Sequence, residues 1–140
     1  MLRTILGVIA GIVAAVLLML GVEALATTLF PLPPGINPHN EADLARLVTL
    51  AQLGMQALVV IGWALASLGG GWVAAKIARH PRGAALGVGL LIVAGSILNA
   101  VSIPHPLWMS ALGVLLPVPL ALLGARFAVK RPVRTADQMR

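Results

Sequence analysis

The stretch LVTLAQLGMQALVVIGWALASLGGGWVAA, residues 47–75, decides the fold, because it contains no Asp, Glu, Lys or Arg. As a helix it extends roughly 43 Å at 1.5 Å per residue, and a bilayer's hydrocarbon core is about 30 Å thick. Such a helix must tilt, kink or project beyond the bilayer. Gly54 and the run Gly69-Gly70-Gly71 are the expected bending points.

Upstream, Leu44, Leu47, Val48 and Ala51 recur at helical spacing, while Glu41, Asp43 and Arg46 keep the opening turns polar. This pattern predicts an interfacial amphipathic lead-in, so the helix covers about 41–79. Asn40 is the expected N-cap, with Asp43 placing a carboxylate near the first-turn amides. Before it, PLPPGINPHN (31–40) holds four prolines and the turn signal Pro34-Gly35, and reads as a loop. Residues 4–22 form another apolar run, with helix continuing to Phe30, where Pro31 stops it. Arg3 and the small residues of Ala24-Leu25-Ala26 resemble a signal peptide. The run exceeds the h-region length of roughly 7–15 residues, so a retained membrane helix at 4–30 is expected.

Downstream, Lys76, Arg79, His80, Pro81 and Arg82 make a tight connection to a third span, 83–103. Pro104-His105-Pro106 turns the chain into a fourth, 107–129, followed by a basic tail, 130–140. The two helical hairpins share an orientation and a proline-bearing turn, which hints at a parallel repeat, although the halves do not match residue by residue.

Composition agrees. Of the 140 residues 59% are hydrophobic and 10% charged, against roughly 25% charged in an ordinary globular domain. A water-soluble fold this small has too much surface to cover with so few charges. The expected fold is therefore all-α: a polytopic membrane protein with four transmembrane helices in an antiparallel bundle. Its four-helix membrane domain covers residues 1–129. Nine cations (Arg3, Lys76, Arg79, Arg82, Arg126, Lys130, Arg131, Arg134, Arg140) fall on one side of that topology and Arg46 on the other. The asymmetry predicts that both termini and the basic tail are cytoplasmic. The net charge of +6 is thereby explained as a topology signal and does not call for nucleic acid. Cysteine is absent, which excludes disulfides, thiolate nucleophiles and Cys-based metal sites.

A few residues can carry chemistry. Glu23 follows the first span and is expected near the outer interface, snorkelling to headgroups or pairing with Arg46. The sharper reading is a proton-coupling carboxylate. Asn99 is expected to hydrogen-bond across helices, for about 1 kcal/mol, with Gln52, Gln56 or Ser67 as partners. Its alternative role is ligand binding. His39 and His105 share the outer side with three carboxylates, but their spacing matches no ligand motif and no metal site is assigned. Glu23, Asn99, Arg46 and His105 form the candidate polar or coupling set. Pro117 and Pro119 oppose the carbonyls of Gly113 and Leu115 and predict a static kink. Gly7 with Gly11, Gly83 with Gly87, and Gly62 with Ala66 and Gly70 make small-residue stripes for close helix approach, within the protomer or between copies. Trp72 and Trp108 suit aromatic belts, and Trp63 suits packing. Lys130, Arg131 and Arg134 are expected to hold anionic lipid headgroups. No catalytic constellation or phosphate-binding loop is recognisable, and no cofactor is implied.

VEALATTLFPLPPG, GGGWVAAKIA and IPHPLW together resemble a type of small four-helix inner-membrane protein common in bacteria. The resemblance covers most of the chain and implies fold and a multi-pass bacterial inner-membrane location, with no assigned activity. The signatures of small multidrug transporters, fluoride channels and membrane glutathione-transferase-like enzymes are not present. The leading functional expectation is a non-enzymatic accessory or scaffold protein. It would act by helix packing in a homo-oligomer or larger membrane complex, with the lipid bilayer, including anionic lipids, as its other partner. The alternative is a small solute transporter or channel with an outer vestibule near Glu23 and Asn99. A lipid-modifying enzyme using His39 and His105 is the third.

Overall fold

Long charge-free runs with no internal stop form helices, and helices account for almost all of the described backbone. The computed structural model describes residues 1–31, 34–35, 37, 40–43, 46, 53–103 and 106–129. Its elements are α1 (Leu2–Leu29), α2 (Leu53–Ile77), α3 (Pro81–Ser102), α4 (Leu107–Leu115) and α5 (Pro117–Ala128), with no strand among the described residues. Taking α4 and α5 together, four helices among the described residues are long and apolar enough to cross a membrane.

The boundaries have local causes. Phe30 N–H still bonds to Ala26 O at 2.8 Å, and the helix stops where Pro31 follows. Pro34-Gly35 is a turn, with Gly35 at φ +92°, a left-handed conformation that glycine adopts without steric cost. Asn40 caps as expected, its Oδ1 accepting from Ala42 N–H at 3.0 Å. Asp43 Oδ2 instead reaches back to accept from Asn37 N–H at 3.2 Å, tying the loop to the first helical turn. Residues 41–43 and 46 are helical, but most of the amphipathic lead-in lies outside the described residues. Helix α3 begins two residues before the expected Gly83, because Pro81 occupies its first turn, where a missing N–H costs nothing. The fourth span breaks at Leu116, as two prolines within three residues remove the donors for Gly113 and Leu115 carbonyls.

Packing is inverted relative to a soluble protein. The buried side chains are mostly Ala and Gly, and large ones such as Leu17 (64%), Leu98 (69%) and Phe127 (66%) are exposed. That arrangement suits lipid, where small interior residues let backbones approach and outward Leu and Ile cost nothing. Helix α2 is central, 44% buried over its span-length window against 17% for α1.

Gly69-Gly70-Gly71 does not interrupt α2, which is continuous helix through it. The three glycines divide the neighbours between them. Gly70 faces α1, where a β-carbon on it would lie 2.7 Å from Gly11 O, and one on Gly11 would lie 2.6 Å from Gly70 O. The Cα hydrogens there point at the facing carbonyls, contacts worth about 0.5–1 kcal/mol each. Gly71 faces α5, where a β-carbon would lie 2.5 Å from Ala121 Cα. Gly69 sits against Leu18. Along α1, Gly7 meets Ala74 and Ala78, Gly11 meets Gly70, Val22 meets Gly62 and Phe30 meets Gly54. The stripe residues Gly7, Gly11, Gly62 and Gly70 are thus used inside the protomer, and Gly87 touches Val8.

Gly83 has nothing nearer than its own turn's His80 Cβ at 3.9 Å, and Gly21 has nothing within 4 Å. Gly21→Ala and Gly83→Ala are therefore expected to leave the detergent melting temperature unchanged or to raise it, since Ala in a helix is favoured by up to about 1 kcal/mol. A clear drop in the circular-dichroism melt of either variant would contradict the open surroundings assigned to these positions.

Three buried clusters hold the helices together. Ala75, Ala85, Ala125 and Ala128 join α2, α3 and α5. Ala74, Ala84 and Val88 join α2 to α3, with Val8 and Ile12 of α1 against them. Val60, Trp63 and Met109 join α2 to α4. The first two lie at the end of the molecule bearing the α2–α3 turn, where α1, α2 and α3 meet tightly. Towards the other end, α1 and α3 separate, and Gly95 on α3 has nothing within 4 Å.

Candidate functional site

That separation opens a cleft of about 530 Å³ between α1 and α3, with α2 as its floor. Ile12, Ala15, Val16 and Met19 form the α1 wall, Leu91, Ile92, Gly95, Ser96 and Asn99 the α3 wall, and Trp63 and Ala66 the floor. Glu23 completes the α1 side at the mouth. In the other half of the molecule α1 and α3 are in contact. There Gly11 lies against Val88 and Gly87 against Val8.

The polar groups cluster at one level. Glu23 lies about 31 Å along α1 from Leu2, and Asn99 about 27 Å along α3 from Pro81. Both therefore lie towards the end of the molecule away from the α2–α3 turn. Ser96 precedes Asn99 by one helical turn and shares its face. From Glu23 to Ile12 the wall descends about 16 Å and becomes wholly apolar. The site is therefore amphipathic along its depth, with a carboxylate, a carboxamide and a hydroxyl above and aliphatic side chains below.

Glu23 is exposed and has no hydrogen bond or ion pair among the described residues. Arg46, read from sequence as its partner, does not pair with it. On its other flank Glu23 borders a void of about 10 Å³ between α1 and α2, beside Val22, Ala26, Val59 and Gly62. Asn99 was expected to bond Ser67, but that hydroxyl is fully buried and donates to Trp63 O at 2.7 Å within its own helix. Gln56 has a partner of its own, and Gln52 lies outside the described residues. Asn99 is half-buried and faces the cleft.

The structure thus brings Glu23 and Asn99 onto one cleft and leaves Arg46 off it. His39, His105, Lys130, Arg131 and Arg134 lie outside the described residues. Among the described residues no three His, Asp or Glu side chains gather as metal ligands. Ser96 is the site residue that sequence reasoning missed. Its signal was the Ser96/Asn99 spacing on an otherwise apolar helix.

Chemically, an unpaired carboxylate beside neutral hydrogen-bonding groups, with no cation among the lining residues, favours a cationic or protonated group at the mouth. The apolar walls below accept hydrocarbon. The chain matches no protein-family model, no curated protein and no solved structure, so what is shown is a small all-helical protein with four helices apolar enough to span a membrane.

Proposed function

We propose that the chain is a multi-pass protein of the bacterial inner membrane that binds and moves a small cationic solute through the Glu23–Asn99 cleft. The observation that carries this reading is the convergence of Glu23, Ser96 and Asn99 on a single cleft of about 530 Å³. The four spans form an antiparallel bundle. The order of contacts supports this: positions rise along α1 from Gly7 to Phe30 as their α2 partners fall from Ala78 to Gly54. The nine-to-one distribution of Lys and Arg supports cytoplasmic termini and an outward-facing cleft. Glu23 would bind the solute's positive charge or a proton in alternation, and Asn99 and Ser96 would orient its polar atoms. The tight Gly11–Gly70–Val88 seam closes the opposite half, so transport requires that seam to part.

The scaffold reading rested on abundant small-residue faces with almost no buried polarity. Gly7, Gly11, Gly62 and Gly70 are occupied inside the protomer, which removes most of its motive. Association keeps one feature in its favour, since the cleft's two rims are the least covered helices, 17% and 22% buried.

The test is uptake of methylammonium and of tetraphenylphosphonium into proteoliposomes carrying an imposed pH gradient. Wild-type protein is expected to accumulate at least one probe above empty liposomes. Glu23→Gln is expected to lose that flux, and Asn99→Ala to reduce it by about tenfold, the value of roughly one hydrogen bond to a charged group. Wild-type uptake equal to that of empty liposomes, or undiminished uptake by Glu23→Gln, would defeat the transport reading.

A further inference from the structure

At the opposite end of the molecule three arginines line one cleft, for a reason that the packing supplies. The Ala75, Ala85, Ala125 and Ala128 cluster draws the end of α5 against the α2–α3 turn. Arg126 on α5 is thereby carried to the same cleft, of about 620 Å³, as Arg79 and Arg82. Among the described residues no acidic side chain lines this cleft, and its arginines are exposed. Like charges held together without a counterion repel one another, so the arrangement favours an anion.

The backbone contributes independently. Helix α3 spans 22 residues and starts with Pro81, and His80 provides no side-chain cap. The first-turn N–H groups of Arg82 and Gly83 therefore remain available at the positive end of the helix. Gly83 lines the cleft with open space around its Cα, so an oxygen can approach that backbone closely.

We infer that this cleft binds the phosphate headgroup of an anionic phospholipid. Three guanidinium forks and two helix N-terminal amides match a phosphodiester's oxygens. The location selects a lipid over a free anion. Helix α2 ends at Ile77, α3 begins at Pro81 and α5 ends at Ala128, so the cleft lies where three apolar spans terminate. Val129, half exposed, supplies an apolar margin for the start of the acyl chains. The site is separate from the Glu23 cleft and holds whatever that cleft does.

The full chain in detergent is titrated with phosphatidylglycerol and with phosphatidylcholine, and binding is read by native mass spectrometry. The triple variant Arg79→Gln/Arg82→Gln/Arg126→Gln is expected to lose phosphatidylglycerol affinity on the order of a hundredfold, with phosphatidylcholine unaffected. Lys76→Gln, which removes one exposed charge at the same end but outside the cleft lining, is expected to lose less affinity than Arg82→Gln does. If the triple variant does not fold, Arg82→Gln and Arg126→Gln singly are each expected to lose about fivefold. Wild-type affinity in the cleft variants, or a loss in Lys76→Gln as large as in Arg82→Gln, would overturn the assignment. Inorganic phosphate at millimolar concentration is expected to raise the melting temperature less than phosphatidylglycerol does. An equal rise that depends on the same arginines would make this a free-anion site and overturn the lipid.

Discussion

Gly71→Ala and Gly124→Ala are each expected to destabilise the protein by about 2–3 kcal/mol, the upper range for forcing a methyl into packed surroundings. At Gly71 the added β-carbon would lie 2.5 Å from Ala121 Cα, and at Gly124 it would overlap Leu68 O and lie 2.9 Å from Trp72 N. These are backbone atoms, so no side-chain rotation relieves the contact. The α2–α5 crossing must widen, which loosens the alanine cluster of Ala75, Ala125 and Ala128 around it. Once one methyl has widened the crossing, the second meets less resistance. The double variant is therefore expected to fall short of the sum by at least about 1 kcal/mol, as for residues sharing one contact. Denaturation in detergent, followed by circular dichroism and compared with Gly21→Ala, measures both quantities. Wild-type stability in Gly124→Ala, or strict additivity in the pair, would mean that the two backbones do not touch as described.

Trp63→Ala is the second large effect, with an expected loss of about 3 kcal/mol, the lower end for a buried Trp. Trp63 is 6% exposed and packs with Val60 and Met109. In a bilayer the transfer contribution shrinks, because lipid is as apolar as the interior, and the cavity contribution remains. The indole also fills the space beside Gly113, where a β-carbon would lie 2.9 Å from its Cζ3. Gly113→Leu alone is therefore expected to destabilise, while Trp63→Ala/Gly113→Leu is expected to recover at least about 1 kcal/mol relative to Trp63→Ala, as contacting residues couple. Since Trp63 forms part of the floor beneath Glu23 and Asn99, its removal also deepens the cleft. No recovery in the double variant would remove the indole from its assigned place between α2 and α4.

The candidate site was only partly legible in the residues themselves. Glu23 and Asn99 stand out because each is a lone polar group near the end of an apolar run. That they share a cleft depends on which faces of α1 and α3 meet, and this is set by Gly11, Gly87 and Val88 more than two turns away. The Glu23–Arg46 pairing looked natural because the charge pattern predicts one side for both. Topology gives depth along the membrane normal but not the angle around the bundle, and Arg46 is not on the cleft. Asn99 and Ser67 failed to pair for a related reason. Ser67 is satisfied by the carbonyl one turn back, a local bond that competes with any interhelical one.

From composition and hydropathy alone came the existence, number and approximate limits of the helices. A charge-free run of membrane length can satisfy its backbone only as a helix, and prolines mark where it stops. Residues 47–75 determined that much without reference to any neighbour. Tertiary structure decided what their three consecutive glycines do. A glycine in a helix is compatible with a bend, a packing face or mere tolerance, and the sequence around it does not distinguish these. Here Gly70 admits α1, Gly71 admits α5, and α2 continues through them as the central helix. The same tight approach at one end leaves α1 and α3 apart at the other, so the cleft beneath Glu23 follows from where the small residues are.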